Sequence, residues 1–228
     1  MACRVALFSL AVQILRVPYA DLMTNSVQRL HTGRLEAFSD GVLAIVLTIM
    51  VLDLHVPHAT NVVALTALWP IFLSYLLSFV YIGIYWNNHH HLFMATKRVS
   101  GGILWANLHL LFWLSLVPFV TGWVGENNFA PLPVACYGVV LLMAAVAYML
   151  LQTVILRHPD NRHLLGRALR HDWKGRLSPL LYIAGTLGAF WSPLFSCLLY
   201  AGVALIWLVP DRRIECAIVR DEAATPGN

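Results

Sequence analysis

Six long hydrophobic runs constrain the fold of this chain more than any other feature. They lie at about 38–54, 62–86, 103–123, 134–156, 177–190 and 193–209. A helix of about 20 apolar residues crosses the hydrocarbon core of a bilayer, and most of these runs approach that length. The last two are shorter and are separated only by Trp191 and Ser192, so they predict a tight helical hairpin. The sequence therefore predicts an all-α, polytopic membrane protein with six transmembrane helices.

The composition excludes a soluble fold. Hydrophobic residues make up 59% of the 228 residues and charged residues only 11%. Soluble domains carry about 25% charged residues, so this chain cannot build a water-solvated surface. The cysteines are scattered, at Cys3, Cys136, Cys197 and Cys216. They indicate neither a disulfide framework nor a metal cluster, and no residues have the spacing of a catalytic site. We therefore expect no cofactor and no enzymatic activity.

The distribution of Lys and Arg predicts how the helices are oriented. If the N-terminus is cytoplasmic, all 15 Lys and Arg residues fall in the inside segments. The outside connections carry only the acidic residues Asp53 and Glu126. Because positive residues concentrate on the cytoplasmic side, both termini are expected there. The net charge of +4 then reflects contact with anionic membrane lipid, and no nucleic-acid motif is present.

The first predicted helix has two chemically different faces. At about 100° per residue, a smooth stripe of residues falls within about 40° of one line. These residues are Gly41, Ile45, Thr48 and Leu52. Phe38 lies beside the stripe, whereas Ser39 and Asp40 lie more than about 100° away on either flank. The stripe is either an ordinary helix-packing surface or the lining of a pore.

Asp40 lies inside an apolar run, where a carboxylate costs free energy unless other groups satisfy it. Polar residues at the inner ends of the second and third helices lie at comparable depth: Trp86, Asn87, Asn88, His89, His90, His91, Trp105, Asn107 and His109. Together with Ser39 and Asp40 they could form a structural polar clamp or part of an ion or proton pathway. Consecutive histidines fan out by about 100° each on a helix, so the histidine run does not predict a metal site.

The start of the first helix also carries a motif, R-x-x-x-F-S-D beginning at Arg34, followed by Ile45 and Thr48. This pattern closely resembles the signature of the transmembrane-protein-175 family of potassium channels, in its bacterial form. The resemblance extends from about residue 29 to residue 213. It includes the stretch YWNNHHHLF at the end of the second helix, and Asn107 and Pro118 in the third.

The resemblance implies a potassium-permeable channel in the plasma membrane. It implies a homotetramer, because the chain has a single six-helix repeat, with the first helices of the subunits surrounding the pore axis. By position, Ile45 would form the constriction, Thr48 a hydroxyl layer and Leu52 a second apolar layer. The permeant partner would be the potassium ion.

The motif itself is implied to brace the first helix against the second and third. Its residues in this role are Arg34, Phe38, Ser39 and Asp40. The candidate partners on the other helices are Trp86, His89, His90, Trp105 and Asn107.

Two other functions are compatible with the sequence, a secondary ion or proton transporter and a non-conducting membrane scaffold. Transporters usually have broken helices or charges at the middle of the membrane, and the second to sixth predicted helices lack such charges. Ion flux would distinguish a channel from a scaffold, and turnover rate would distinguish a channel from a transporter.

The chain is expected to divide into three segments. Residues 1–30 form an N-terminal extension, poorly ordered or interfacial, with a start at Met23 as an alternative. Residues 31–210 form the six-helix transmembrane channel domain, and residues 211–228 form a cytoplasmic tail.

Overall fold

The computed structural model describes residues 19–57, 59–159, 161 and 173–208, with side chains from residue 32 onward. Its helices are α1 (Tyr19–Leu52), α2 (Val62–Thr66), α3 (Trp69–Met94), α4 (Gly101–Ser115), α5 (Val117–Glu126), α6 (Pro131–Arg157), α7 (Trp173–Gly188) and α8 (Pro193–Leu208). No strand occurs in the described residues, so the all-α prediction is confirmed for them. The expected tail at 211–228 and the first 18 residues of the expected N-terminal extension lie outside the described residues.

The first helix is longer than its hydrophobic run. The run begins at Phe38, but α1 begins at Tyr19, so residues 19–30 of the expected extension belong to this helix. Hydropathy marks only the part of a helix that lies in hydrocarbon, and the polar residues ahead of Phe38 include no proline to break the helix.

The second hydrophobic run divides into two helices. The side-chain oxygen of Asn61 caps α2 by accepting a hydrogen bond from the Ala64 N–H at 2.9 Å. A second helix, α3, starts at Trp69 with Pro70 in its first turn, where the missing N–H of proline costs little. This helix continues past the expected end at residue 86 to Met94, because the amides and histidines there extend the helix without being apolar.

Within the described residues, four segments are long and apolar enough to cross a membrane. They are Thr32–Leu52, Trp69–Met94, Gly101–Glu126 and Pro131–Arg157. The third consists of α4 and α5, which divide at Leu116 because a proline occupies the first turn of α5. Besides the short α2, this leaves α7 and α8, which have 16 residues each and pack against each other as a hairpin.

The core of the protein surrounds α6. This helix contacts α4, α5, α7 and α8, whereas α1 packs against α3, α4 and α5 on the opposite side of the bundle. Along α6, a row of apolar side chains is at most 1% exposed: Leu141, Ala144, Ala147, Leu151 and Ile155. The small alanines in this row allow neighbouring helices to approach closely, as is typical of helix packing in membranes.

A tyrosine socket joins the hairpin to the rest of the bundle. The ring of Tyr200 on α8 lies against Gly138 of α6 and Gly185 of α7, at positions where a Cβ atom would overlap the ring. The backbone carbonyl of Tyr200 also accepts a hydrogen bond from the Tyr81 hydroxyl of α3 at 2.6 Å. The two glycines therefore make room for a large side chain that three helices share.

A buried asparagine fastens the connection between α3 and α4 to the end of α6. Asn161 Oδ1 accepts hydrogen bonds from the backbone N–H groups of Lys97 and Arg98 at 2.9 and 3.0 Å. Its Nδ2 donates to the carbonyls of Arg98 and Ile155. A single side chain thereby satisfies three backbone groups of Lys97 and Arg98 that lie outside the helices.

The tyrosine socket predicts a large difference between two glycine substitutions. We expect Gly138→Ala to lower the free energy of unfolding by about 1–3 kcal/mol, because its Cβ would overlap Tyr200 in a packed interior. In Gly202→Ala, the new Cβ meets no atom within 4 Å, and alanine suits a helix interior better than glycine, so we expect no loss of stability. Thermal unfolding of the purified protein in detergent measures both. Equal losses in the two variants would contradict the socket.

Candidate functional site

One face of α1 is not covered by any other part of the described chain. Phe38 is 53% exposed, Ile45 58% and Leu52 80%, and Gly41 and Thr48 are also exposed. Single exposed apolar residues are common, but a continuous line of them on one helix marks a surface that meets a partner, a ligand or lipid.

The uncovered residues follow a regular spacing. Starting from the exposed Arg34, they recur at intervals of four, three, four, three and four residues, which is the spacing of a coiled-coil seam. We call this surface the open face, defined as Arg34, Phe38, Gly41, Ile45, Thr48 and Leu52. The spacing suits helices that meet along a common axis.

The open face carries one hydroxyl between two aliphatic side chains. Thr48 Oγ1 donates its hydrogen to the carbonyl of Ile45 at 2.9 Å, one turn earlier in the helix. Because the hydrogen is engaged by the backbone, the outward side of the oxygen presents only lone pairs. The hydroxyl can therefore act as an acceptor for water or a cation.

The opposite face of α1 is buried. Leu35, Ser39, Leu43, Val46 and Met50 recur at helical spacing and pack into the core. The sequence projection placed Ser39 away from the stripe, and the structure buries it completely. The two faces of α1 thus differ both in chemistry and in what covers them.

A chain of hydrogen bonds joins this buried face to α3 and α4. The Ser39 hydroxyl donates to the carbonyl of Leu35 at 2.9 Å and accepts from Asn107 Nδ2 at 2.9 Å. Asn107 Oδ1 lies 2.8 Å from His89 Nε2. Because Ser39 has already used its hydrogen, Asn107 must face it with the amide nitrogen and face His89 with the oxygen. His89 therefore donates from Nε2.

A second set of contacts joins the same turn of α1 to α3. Trp86 Nε1 donates to Asp40 Oδ1 at 3.0 Å, and His90 Nδ1 lies 2.6 Å from Glu36 Oε1. The rings of Trp86 and His90 stack at 16° between planes, with 6.1 Å between centroids. Two acids four residues apart on α1 thus meet two aromatic rings four residues apart on α3. We call the contacts of Glu36, Ser39 and Asp40 with α3 and α4 the brace.

Glu36 is the residue of this brace that sequence reasoning missed. From the sequence alone, Glu36 is a like charge four residues from Asp40, and such a spacing disfavours mutual stabilisation on one helix. The sequence does carry a sign of the contact, because Glu36 and Asp40 are four residues apart and so are Trp86 and His90. Two helices that lie side by side can align such pairs.

Three of the residues predicted for the brace, two from the resemblance and Trp105 as a possible partner, lie elsewhere in this chain. Arg34 and Phe38 are on the open face, about 100° or more around the helix from Ser39. Trp105 on α4 is 76% exposed and does not reach the contacts around Asp40. The motif therefore divides within one protomer: its last two residues point into the bundle, and its first two point out.

The histidine run does not form a metal site in the described part of the chain. No group of three His, Cys, Asp or Glu residues there could hold a metal ion. His89 and His90 contact different partners, Asn107 and Glu36, in line with the fanning of consecutive residues on a helix.

The hydrogen-bond chain through Ser39 predicts a strong effect of removing its central amide. Asn107→Ala should lower the free energy of unfolding by about 1–3 kcal/mol, because it leaves the buried His89 Nε2 without a partner and removes the donor to Ser39, which keeps its bond to Leu35. Thermal unfolding and elution as a single species in detergent would measure this loss.

Asn127→Ala is the matched control for this substitution. Asn127 is exposed, directly follows α5, and its side chain donates only to the Trp123 carbonyl one turn earlier, so its loss should have little effect. An Asn107 variant as stable as the Asn127 variant would show that the network does not hold α1.

Comparison with known proteins identifies the family. Residues 34–118 match the model of the family described as endosomal/lysosomal potassium channel TMEM175. The chain is 53% identical over 183 residues to a potassium channel of Chryseobacterium sp. (strain P1-3), covering 80% of this chain and 95% of that protein. It is 32% identical over 200 residues to a potassium channel of Chamaesiphon minutus, covering 81% and 95%.

A solved structure gives the same result. The crystal structure of a lysosomal potassium-selective channel TMEM175 homolog from Chamaesiphon minutus matches with a TM-score of 0.68 and 29% identity. The match covers 79% of this chain and 98% of that one. The chain therefore belongs to the TMEM175 family.

Proposed function

We propose that this chain is one subunit of a potassium-permeable channel whose pore is lined by the first helices of four copies. The family and the relatives named as potassium channels support the permeant ion. The single observation that carries the position of the pore is the open face of α1, which has a coiled-coil spacing and no cover within the described chain. A channel also agrees with the expectation that the chain is not an enzyme.

The composition of the open face favours a partner helix over lipid. Lipid tails would cover Ile45 and Leu52, but they would offer no partner to the outward lone pairs of the Thr48 oxygen on the same line. Copies of α1 around an axis leave room for water and ions beside this oxygen. A homotetramer, as implied by the single repeat, supplies enough helices to enclose such an axis.

The order of side chains along α1 gives the pore its layers. At 1.5 Å per residue, Thr48 lies about 4.5 Å beyond Ile45, and Leu52 about 6 Å beyond Thr48. Four Ile45 side chains would form a narrow apolar ring, and such constrictions gate by excluding water. Four Thr48 hydroxyl oxygens would then meet an ion on one side of this ring, and Leu52 would form a second apolar layer.

This layered pore favours potassium for a physical reason. An ion crossing the apolar ring must release part of its hydration shell, and potassium releases water more easily than sodium. The hydroxyl oxygens replace some of the lost water contacts. A ring of aliphatic side chains coordinates no ion itself, so the preference for potassium should be modest.

The brace has a defined task in this proposal. It holds the buried face of α1 against α3 and α4, so that the open face points toward the axis. Glu36, Ser39 and Asp40 serve this function within the subunit, with His90, Asn107 and Trp86 as their direct partners and His89 bound to Asn107. Arg34 and Phe38 would serve it between subunits, because they lie on the open face.

The remaining expectations complete the proposed architecture. We place the protein in the plasma membrane with six crossings, four by the long segments and two by the short helices α7 and α8. Both termini would lie on the cytoplasmic side, where the basic residues contact anionic lipid. The channel domain would be 31–210, between the N-terminal extension and the tail.

Single-channel recording under bi-ionic potassium and sodium conditions tests this function. The purified protein in planar bilayers should pass current with a reversal potential that favours potassium. Unitary currents far above the turnover of a transporter are expected. Ion flux at the level of empty bilayers would favour a scaffold, and slow, saturable flux without unitary events would favour a transporter.

The constriction predicts the effect of one substitution in the same recordings. Ile45→Asn should raise the unitary conductance severalfold and weaken the discrimination between potassium and sodium, because an amide keeps the ring wet. Val51→Asn is the control, since Val51 is also exposed on α1 but lies about 120° away from Ile45. Unchanged currents in Ile45→Asn, or equal changes in both variants, would exclude Ile45 as the constriction.

A further inference from the structure

A pocket that the pore does not use lies between α3, α6, α7 and α8. It encloses about 480 Å³ of empty space, including its open mouth, and none of its lining residues belongs to α1. Aromatic rings form much of its wall: Tyr85, Tyr148, Tyr182 and Trp207. A pocket with this largely aromatic lining suits an apolar or amphipathic molecule.

Hydrogen bonds fix two of these rings and keep their polar atoms engaged. The Tyr148 hydroxyl donates to the carbonyl of Asn88 at 3.1 Å, and Trp207 Nε1 donates to Ser178 Oγ at 2.8 Å. Tyr85 packs edge-on against Tyr148, with 6.1 Å between ring centroids. The rings are thus held rigidly, and their apolar faces and edges are left to line the pocket.

A cation lies at the rim of the pocket. Lys174 Nζ is 5.9 Å from the centroid of the Trp207 ring, so a cation–π contact holds the ammonium group beside the pocket wall. Lys174 is in the first turn of α7, and Gly175, the next residue, lines the pocket. The sequence around it is strongly basic, with Arg157, Arg162, Arg167, Arg170, Lys174 and Arg176.

We propose that this pocket binds an anionic phospholipid of the inner leaflet, with an acyl chain against the aromatic wall and the phosphate at Lys174. The inference rests on the proposed membrane orientation, which places the start of α7 at the cytoplasmic surface. Basic pockets between helices on this side suit anionic head groups. A free anion would make no favourable contact with the apolar wall, and an uncharged amphiphile would make no ion pair with Lys174.

The position of the lipid gives it a structural consequence. The pocket is formed where the short hairpin of α7 and α8 meets α3 and α6. A lipid that contacts all four helices would stabilise the packing of this hairpin. The same helix, α3, carries Trp86, His89 and His90 of the brace. A bound lipid would therefore contact α3, the helix that positions α1, but would not contact the pore.

Native mass spectrometry tests the charge recognition without depending on ion flux. The purified protein is titrated with phosphatidylglycerol and with phosphatidylcholine of identical acyl chains, and the wild type should retain more phosphatidylglycerol. Lys174→Gln should lower phosphatidylglycerol binding about fivefold, the effect of one basic residue near an anionic lipid surface, and leave phosphatidylcholine unchanged. Lys97→Gln, in the connection between α3 and α4, is the control and should bind like the wild type.

A second variant tests the acyl-chain site. Ala145 lines the pocket, so Ala145→Leu should fill part of it and reduce the retention of phosphatidylglycerol, whereas Ala201→Leu, outside the lining, should not. Equal retention of the two lipids by the wild type would overturn the proposal, and so would unchanged retention in both Lys174→Gln and Ala145→Leu. Displacement of the lipid by inorganic phosphate alone would also overturn it. Because binding is measured in detergent, a failed channel recording would not affect this result.

Discussion

Polar contacts on one side of α1 fix the rotation of this helix, and its rotation decides which side chains remain uncovered. Ser39, fully buried, is tied through Asn107 to His89, while Asp40 accepts from Trp86 and Glu36 from His90. A rotation of about 100°, one residue, would break these contacts and leave buried groups unpaired. An aliphatic stripe cannot select its own orientation, since apolar side chains pack against lipid as readily as against each other. The polar groups therefore set the rotation of α1, and aliphatic residues occupy the open face that this rotation leaves uncovered.

The sequence predicted the features that depend on periodicity and composition. The all-helical class follows from long apolar runs, and the short hairpin of α7 and α8 follows from two runs with almost no residues between them. The two faces of α1 follow from projecting a single helix, because Ile45 and Ser39 differ in direction whatever packs around them. The family follows from the motif at Arg34. Each of these inferences needs only residues that are close together in the sequence.

The features that sequence reasoning missed depend on contacts between distant segments. Glu36 meets His90 only because α1 and α3 lie in one particular alignment, and Trp105 misses the brace because α4 turns that face outward. The socket for Tyr200 combines glycines from α6 and α7, neither of which is unusual in its own helix. Asn161 lies beyond the last hydrophobic residue of α6, where hydropathy carries no signal. Such contacts become visible only when the helices are placed side by side.

The central claim is that the open face of α1, and not its buried face, surrounds the ion path. Single cysteines introduced into a protein lacking its native cysteines test it most directly, with block of the potassium current by silver ions as the measurement. Silver should block channels with Ile45→Cys or Leu52→Cys and leave those with Leu43→Cys or Met50→Cys conducting. Val51→Cys, exposed but away from the open face, should also conduct. Block at Leu43→Cys and Met50→Cys with none at Ile45→Cys and Leu52→Cys would contradict the account.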